Sequence, residues 1–241
     1  MSKDEIYKQP LQNIEDFSFD KAVSDAFDDM VDRSVPGYRT LIANIGPIAS
    51  HFLRPNTNCY DLGCSHGAAS LSIFNCLPYD SVSIHAIDNS SAMIEQCKQL
   101  VLQTEASAAI NIQLADINDI DIQNASVVVL NLTLQFLPLD QRYKLLEKIV
   151  AGMNPGGACI LTEKITLEDD STEHLFQTLH TNFKSANQYS QLEISQKRKA
   201  IENVLIRESL SDHQQRLTDV GFNNVTVWFQ CLNFVSLIAV K

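Results

Sequence analysis

The sequence predicts an α/β fold in which a doubly wound, mostly parallel sheet is closed by an antiparallel hairpin. Three observations predict it. Short apolar runs alternate with helical patterns five times over about a hundred residues in the middle of the chain. A glycine-bearing turn, Asp61-Leu-Gly63-Cys-Ser65-His-Gly67, joins the first apolar run to the helix after it. At the C-terminal end, two apolar stretches separated by about four residues, Val225 to Phe229 and Phe234 to Val240, read as an antiparallel hairpin.

The elements follow in order. Over the first fifty residues the patterns are helical. Ala22, Val23, Ala26, Phe27, Met30 and Val31 share one helical face, and Tyr38, Leu41, Ile42, Ile45, Ala49 and Phe52 share another. Arg33-Ser-Val-Pro-Gly-Tyr38 breaks the two apart, with Pro36 suited to a first helical turn and Ser34 to a nearby cap. Cys59-Tyr60-Asp61 is the first strand, and helical composition resumes at Ala68 to Phe74. Val82 to Asp88 is a strand ending on an acid; Ser90 or Ser91 then caps a helix with Met93, Cys97, Leu100 and Val101 on its face. Ile110 to Leu114 and Val127 to Leu130 are strands, the latter an unbroken β-branched run expected of a strand covered on both faces. A helix from about Asp140, with Tyr143, Leu146, Ile149 and Val150 on one side, stops at Asn154-Pro-Gly-Gly157, and Cys159 to Leu161 is the fifth strand. From Thr166 to Gly221 the chain turns polar and helical. Leu175, Phe176, Leu179 and Phe183 form one stripe there, and Ser190-Gln-Leu-Glu193 has the form of a capping box.

Composition narrows the function classes. The chain has 241 residues, 45% of them hydrophobic, with 18 Lys+Arg against 29 Asp+Glu and a formal net charge of −11. That hydrophobic share supports a packed core, and the acidity weighs against gripping a polyanion, which requires phosphates to be neutralised by Lys and Arg. No run approaches the roughly 20 apolar residues of a membrane helix, and Met1-Ser-Lys-Asp-Glu lacks the layout of a signal peptide. Cys59, Cys64, Cys76, Cys97, Cys159 and Cys231 contain no Cys-x-x-Cys pair and no His at metal-ligand spacing. Reduced thiols, no metal and a cytoplasmic address are the expectation.

Open α/β sheets bind ligands at the carboxyl ends of their strands, which makes the turn at Asp61 to Gly67 the place to look. Gly63 and Gly67 permit close backbone approach, and the next helix offers its N-terminus to an anionic group such as a carboxylate. Asp88, 27 residues after Asp61, ends the second strand where an acid can accept both hydroxyls of a ribose. The spacing Gly63-Cys-Ser-His-Gly67 does not supply the Gly-x-Gly-x-x-Gly of a dinucleotide site. A ligand with adenosine and an amino acid but no phosphate fits better.

Asp61-x-Gly63-x-x-x-Gly67, the strand-end acids Asp88 and Asp116, Asn131 and Asn154-Pro-Gly-Gly157 resemble the successive motifs of class I S-adenosyl-L-methionine (SAM) dependent methyltransferases, with Ser65 in place of the usual middle glycine. Arg33-Ser-Val-Pro-Gly-Tyr38, Asp61-Leu-Gly-Cys-Ser65, Ala86-Ile-Asp-Asn-Ser90, Val129-Leu-Asn-Leu-Thr-Leu-Gln-Phe136, Glu193-Ile-Ser-Gln-Lys-Arg198 and Leu232-Asn-Phe234 are similar to the carboxy-S-adenosylmethionine synthase family. The one local departure is His66, where an apolar residue is expected.

The resemblance implies a Rossmann-like class I methyltransferase fold with a seven-stranded sheet. On this reading residues 1–54 are a helical lid, 55–165 and 222–241 the sheet core, and 166–221 a helical insertion, all within one SAM-binding domain. It implies a reaction in which SAM and prephenate give carboxy-SAM, phenylpyruvate and water, the SAM methyl losing a proton and capturing carbon dioxide. A homodimer is implied, as is delivery of the product to an enzyme that carboxymethylates tRNA wobble uridine.

Carried over by position, Tyr38 covers the ligand, and Gly63, Cys64 and Ser65 give backbone contacts to its amino-acid end. Asp88 and Asn89 hold the ribose and adenine edge, Asp116 and Ile117 address the adenine, and Asn131 faces the methionine portion. Arg198, rather than Lys197 or Lys199, is expected to hold the added carboxylate, which a guanidinium can clasp with two hydrogen bonds. The catalytic base is not identified, and His66, His85, His174, His180 and His213 read as structural or surface residues. Asn131-Leu-Thr-Leu is not the Asn-Pro-Pro-Tyr of amino-group methylation of nucleic acid. The rival readings are a conventional small-molecule methyltransferase and a non-catalytic SAM-binding regulator.

Overall fold

The computed structural model describes residues 2–241; Met1, the first residue of the expected lid, lies outside them. Residues 2–20 form an irregular arm, not a helix, and α1 (Lys21–Ser34) starts where the Asp20 carboxylate accepts the Val23 N–H at 2.9 Å. Helix α2 (Tyr38–Phe52) follows Gly37, whose φ of +76° turns the chain; Ser34 belongs to the last turn of α1 and caps nothing, and Pro36 precedes the helix.

The sheet then builds as β1 (Asn58–Leu62), α3 (Ala68–Phe74), β2 (Ser83–Asp88), α4 (Ser91–Leu102), β3 (Ile110–Leu114) and β4 (Ala125–Asn131). It continues with a short 3₁₀ turn (Leu134–Phe136), α5 (Leu139–Gly152) and β5 (Met153–Lys164). Helices α6 (Asp170–Ala186), α7 (Gln191–Ile201) and α8 (Leu210–Asp219) precede β6 (Asn224–Cys231) and β7 (Phe234–Val240). The strand order is β3-β2-β1-β4-β5-β7-β6, parallel as far as β5, with β7 antiparallel between β5 and β6. Parallel strands whose order reverses beside β1 leave a crevice at their carboxyl ends, where Leu62, Asp88 and Asn131 lie.

Side chains alternate across the sheet with period two, so each strand feeds two cores. Val128 and Leu130 pack with Leu145, Leu146, Ile149 and Leu217 of α5 and α8. Val127 and Val129 pack with Leu41, Ile45, Ile73 and Ile94 of α2, α3 and α4. Close helix approach is set by small residues: a Cβ on Gly46 would lie 2.1 Å from the Ser72 carbonyl oxygen. A third cluster joins Tyr7 and Phe17 of the arm to Met30, Met93 and Ala200. The arm is strapped to α7, whose buried Gln196 amide donates to the carbonyls of Tyr7 and Gln9 at 2.9 and 2.8 Å.

Four further expectations about elements change. Asn154-Pro-Gly-Gly157 lies inside β5, where the register against β4 shifts, so the strand starts earlier than Cys159. Tyr143 is 40% exposed, and the buried face of α5 carries Arg142 instead. Arg142 is fully buried because its guanidinium pairs with Glu208 and donates to the carbonyls of Leu137, Gln135 and Ile206. The apolar stripe of α6 is largely uncovered, Leu175 being 52% and Leu179 39% exposed. The final hairpin turns through two residues, Leu232 and Asn233, rather than four.

Candidate active site

A cavity of about 380 Å³ opens at the carboxyl ends of the strands and runs under α1, the arm and α7. Its volume falls within the range of roughly 300–1,000 Å³ typical of small-molecule sites. Tyr38, Gly63, Cys64, Ser65, Asp88, Asn89, Asp116, Ile117 and Asn131, nine of the ten residues expected at the site, all line it.

The first wall is the turn after β1. Gly63 has a φ of +79°, and a Cβ there would lie 2.4 Å from Thr133 Oγ1, so only glycine fits. The N–H groups of Gly63 and Cys64 both donate to the Ile87 carbonyl, at 2.8 and 2.9 Å, and that of Ser65 donates to Asp88 Oδ2 at 2.9 Å. With those donors engaged inside the protein, the backbone contacts left to a ligand at these residues are carbonyl acceptors, suited to an ammonium group. The anion at the N-terminus of α3 is the protein's own: the Asp61 carboxylate accepts the Ser70 N–H at 3.0 Å and its hydroxyl at 2.6 Å. Burial pushes the Asp61 carboxyl up to about 6, against the pull of those two hydrogen bonds.

Asp88 is held from both sides, its Oδ2 by Ser65 and its Oδ1 by the Ser90 N–H at 2.9 Å. Each oxygen keeps a further acceptor position, which is what two vicinal hydroxyls require. Burial raises its carboxyl above the ordinary range, and the amides around it oppose that rise. Across the crevice, Asn131 Oδ1 is buried with no hydrogen-bond partner among the described residues. A buried acceptor without a donor is costly, and a ligand ammonium group would satisfy it. The residues present therefore fit SAM: acceptors at the amino-acid end, a held carboxylate for ribose, and Ile117 with an apolar neighbourhood for adenine.

The roof is aromatic. Phe19 meets Phe136 edge-on at 5.1 Å and Phe17 at 5.2 Å, and all three line the cavity. Burial raises the Tyr38 phenol, so it remains a donor. His66, the departure from the resembled pattern, bolts this roof to the glycine turn. Its Nδ1 lies 3.2 Å from Asp28 Oδ1 and its Nε2 3.1 Å from Ser24 Oγ, tying α1 to the loop after β1.

Arg198, the tenth expected residue, does not line the cavity; it is exposed and donates to Thr181 Oγ1 at 3.2 Å. The reason is helical phase. The capping box at Ser190 starts α7 so that Glu193, Lys197 and Ala200 face inward, and Arg198 is rotated about 100° away. Lys197 lines the cavity instead, together with Lys164, Lys184 and His180. Isolated lysines and histidines in a polar segment carry no pattern that distinguishes a cavity wall from a solvated face, and tertiary packing alone converges them.

The comparisons agree with this geometry. The model of a family described as "Methyltransferase domain" matches residues 60–157, from β1 into β5. A putative S-adenosyl-L-methionine-dependent methyltransferase from Methanococcus maripaludis superposes with a TM-score of 0.62 at 19% identity, covering 97% of each chain, which shows the fold. A carboxy-S-adenosyl-L-methionine synthase of Vibrio vulnificus is 51% identical over 238 residues, covering 99% of this chain and 97% of the relative. One from Shewanella putrefaciens is 50% identical over 240 residues, covering 100% and 99%. Half-identity across the whole length includes the arm, the insertion and the hairpin that the methyltransferase core alone does not define. The chain is an enzyme that uses SAM, and it belongs to the carboxy-S-adenosyl-L-methionine synthase family.

Proposed function

We propose that the carboxyl group placed on SAM comes from prephenate, with phenylpyruvate and water as the other products. The observation that carries this reading is the cavity's polarity: acids stand at the β1, β2 and β3 ends, and lysines at the β5 end and on α6 and α7. In the proposed step the bond between the prephenate ring and its carboxylate breaks, and carbon dioxide departs. The ring hydroxyl leaves as hydroxide, which completes an aromatic ring. Hydroxide removes a proton from the SAM methyl and becomes water, and the methyl carbon bonds to the carbon dioxide. Atoms and charge balance without another reactant. This assigns the proton acceptor to the substrate, so the protein's tasks are to bind, orient and exclude water.

On this reading Asp88 and Asn89 hold the ribose, Asp116 and Ile117 the adenine, and Tyr38, Asn131 and the carbonyls of the Gly63 turn the methionine portion. The chain works as one SAM-binding domain, with residues 1–54 as lid, 55–165 and 222–241 as core, and 166–221 as insertion. It acts in the cytoplasm as a homodimer, for which the uncovered leucines of α6 are an apolar surface. Arg198, exposed beside α6, holds the added carboxylate in its own or a partner subunit's site. The product passes to an enzyme that carboxymethylates tRNA wobble uridine, and no binding of tRNA by this acidic chain is needed. Incubation with SAM and prephenate, read by mass, tests the reaction. Phenylpyruvate should appear in step with a nucleoside heavier than SAM by one carbon dioxide. S-adenosylhomocysteine with a methylated acceptor would overturn it.

A further inference from the structure

Lys164 ends β5, Lys184 and His180 lie on α6, and Lys197 lies on α7; all four line one end of the cavity. The ammonium groups of Lys164 and Lys184 form no hydrogen bond or ion pair with any described residue. Lys164 has only the Phe234 ring, its Nζ 5.7 Å from the centroid. The nearby acids are otherwise engaged. Asp4 lies 3.4 Å from Lys197 Nζ and also accepts the Tyr189 hydroxyl, while Glu173 pairs with Arg207 at 2.6 Å. Arg198 adds a further positive charge beside the cluster. His180 Nε2 lies 2.8 Å from the Ser34 carbonyl oxygen, to which it must donate. Burial, then the neighbouring lysines, push its imidazole far down, so it is neutral and leaves Nδ1 an acceptor.

Two ammonium groups that converge without a hydrogen-bonded counter-charge are unfavourable where the protein wall partly shields them from water, and both register it. Burial first, then like charge, takes Lys184 down to about 7 and Lys164 to about 8. A chain carrying net charge −11 has acids to spare for neutralising such a cluster, yet among the described residues none pairs with Lys184. The sheet order places this end away from the nucleoside wall. Asp116 follows β3, Asp88 ends β2, Gly63 follows β1, Asn131 ends β4, and Lys164 ends β5. With strands about 4.8 Å apart, β1 and β5 are separated by roughly 10 Å, room for a small organic anion beside SAM.

We propose that Lys164 and Lys184, backed by Lys197 and His180, bind the carboxylates of a dianionic co-substrate at the β5 end of the cavity. The inference rests on the proposed reaction for the identity of that co-substrate, prephenate, and names the residues that select it. Lysine ammonium groups act as compact point charges here, holding carboxylates while the neutral imidazole offers an acceptor to a hydroxyl.

The test uses the full chain and its variants Lys164→Met and Lys184→Met. Because the ammonium groups they remove have no hydrogen-bond or ion-pair partner among the described residues, both variants should fold and melt no lower than the unmodified protein without ligand. Each should raise KM for prephenate at least tenfold, with Kd for SAM unchanged within twofold, and Lys→Arg at either position should recover part of the loss. Prephenate should raise the melting temperature of the unmodified protein and not of the double Lys→Met variant. An unchanged KM for prephenate in both single variants would overturn the proposal. If the unmodified protein makes no carboxy-SAM from prephenate, the proposed reaction fails, and the melting shift still decides the anion site. A shift lost in the double variant supports it, and no shift in either protein overturns it.

Discussion

Replacing Gly63 by Ala tests how the turn after β1 shapes the cavity. The added Cβ would lie 2.4 Å from Thr133 Oγ1 and 2.5 Å from its Cγ2, and Gly63 sits at a φ of +79°. A non-glycine residue in the left-handed region costs about 1–2 kcal/mol. Thr133 must also move, and its hydroxyl then gives up the 2.8 Å hydrogen bond to the Leu62 carbonyl. That loss is worth about 1 kcal/mol, and crowding adds about 1–3 kcal/mol. The expected destabilisation is about 3–6 kcal/mol, read by urea unfolding. Because Thr133 and Asn131 share one wall, SAM affinity should fall by at least about tenfold in titration calorimetry. Thr133→Ala removes the two nearest atoms and leaves its Cβ 3.0 Å away, so it relieves crowding and leaves the backbone strain. The double variant should therefore be more stable than the sum of the two single effects by about 1 kcal/mol or more. Additive effects, or a Gly63→Ala protein of native stability and affinity, would show that Thr133 does not crowd this turn.

Further outcomes follow from the same geometry. Asp88→Asn leaves one acceptor oxygen where two backbone donors, Ser65 and Ser90, now bind opposite oxygens. One donor then faces an amide NH₂, and SAM binding should weaken by about tenfold to a hundredfold; unchanged affinity in calorimetry would remove Asp88 from the ribose site. Glu163, buried under the Leu134 and Gln135 N–H groups, is raised by burial from 4.5 to about 8. Its folded-state pKa lies above the unfolded value, so its stabilising contribution is complete below 4.5 and is lost as pH rises through about 8. Glu163→Gln should flatten that decline in unfolding measured across this window; the same slope in both proteins would contradict it. His66→Ala removes the link from the glycine turn to Asp28 and Ser24, so amide hydrogens of α1 should exchange faster while those of β4 do not change. Equal protection of α1 in the two proteins would show that His66 does not hold the roof.

The parallel core was legible in the sequence because its signals are local. The β-branched run Val127 to Leu130, the Ser90 cap and the Ser190 capping box each act within a few residues, and the structure has an element at each. The crevice was legible for the same reason: Gly63, Asp88, Asp116 and Asn131 stand at strand ends, and the sheet order brings strand ends together. What was not legible depends on contacts distant in sequence. The buried face of α5 was assigned to Tyr143 by periodicity, but Arg142 goes inside because Glu208, 66 residues on, meets it. The arm is irregular because its backbone is satisfied by Gln196 and Ala200 of α7 rather than by its own helix. Arg198 and Lys197 differ by one step of helical rotation, and only the docking of α7 on the arm selects the one that faces the cavity. The lysines of the β5 end come from three separate elements, and no spacing in the chain connects them.

The most direct measurement gives the protein SAM together with prephenate labelled isotopically at its ring carboxylate. If prephenate is the carboxyl donor, a nucleoside heavier than SAM by one labelled carbon dioxide forms one for one with unlabelled phenylpyruvate. An unlabelled carboxyl group on the nucleoside, or S-adenosylhomocysteine in its place, would contradict it.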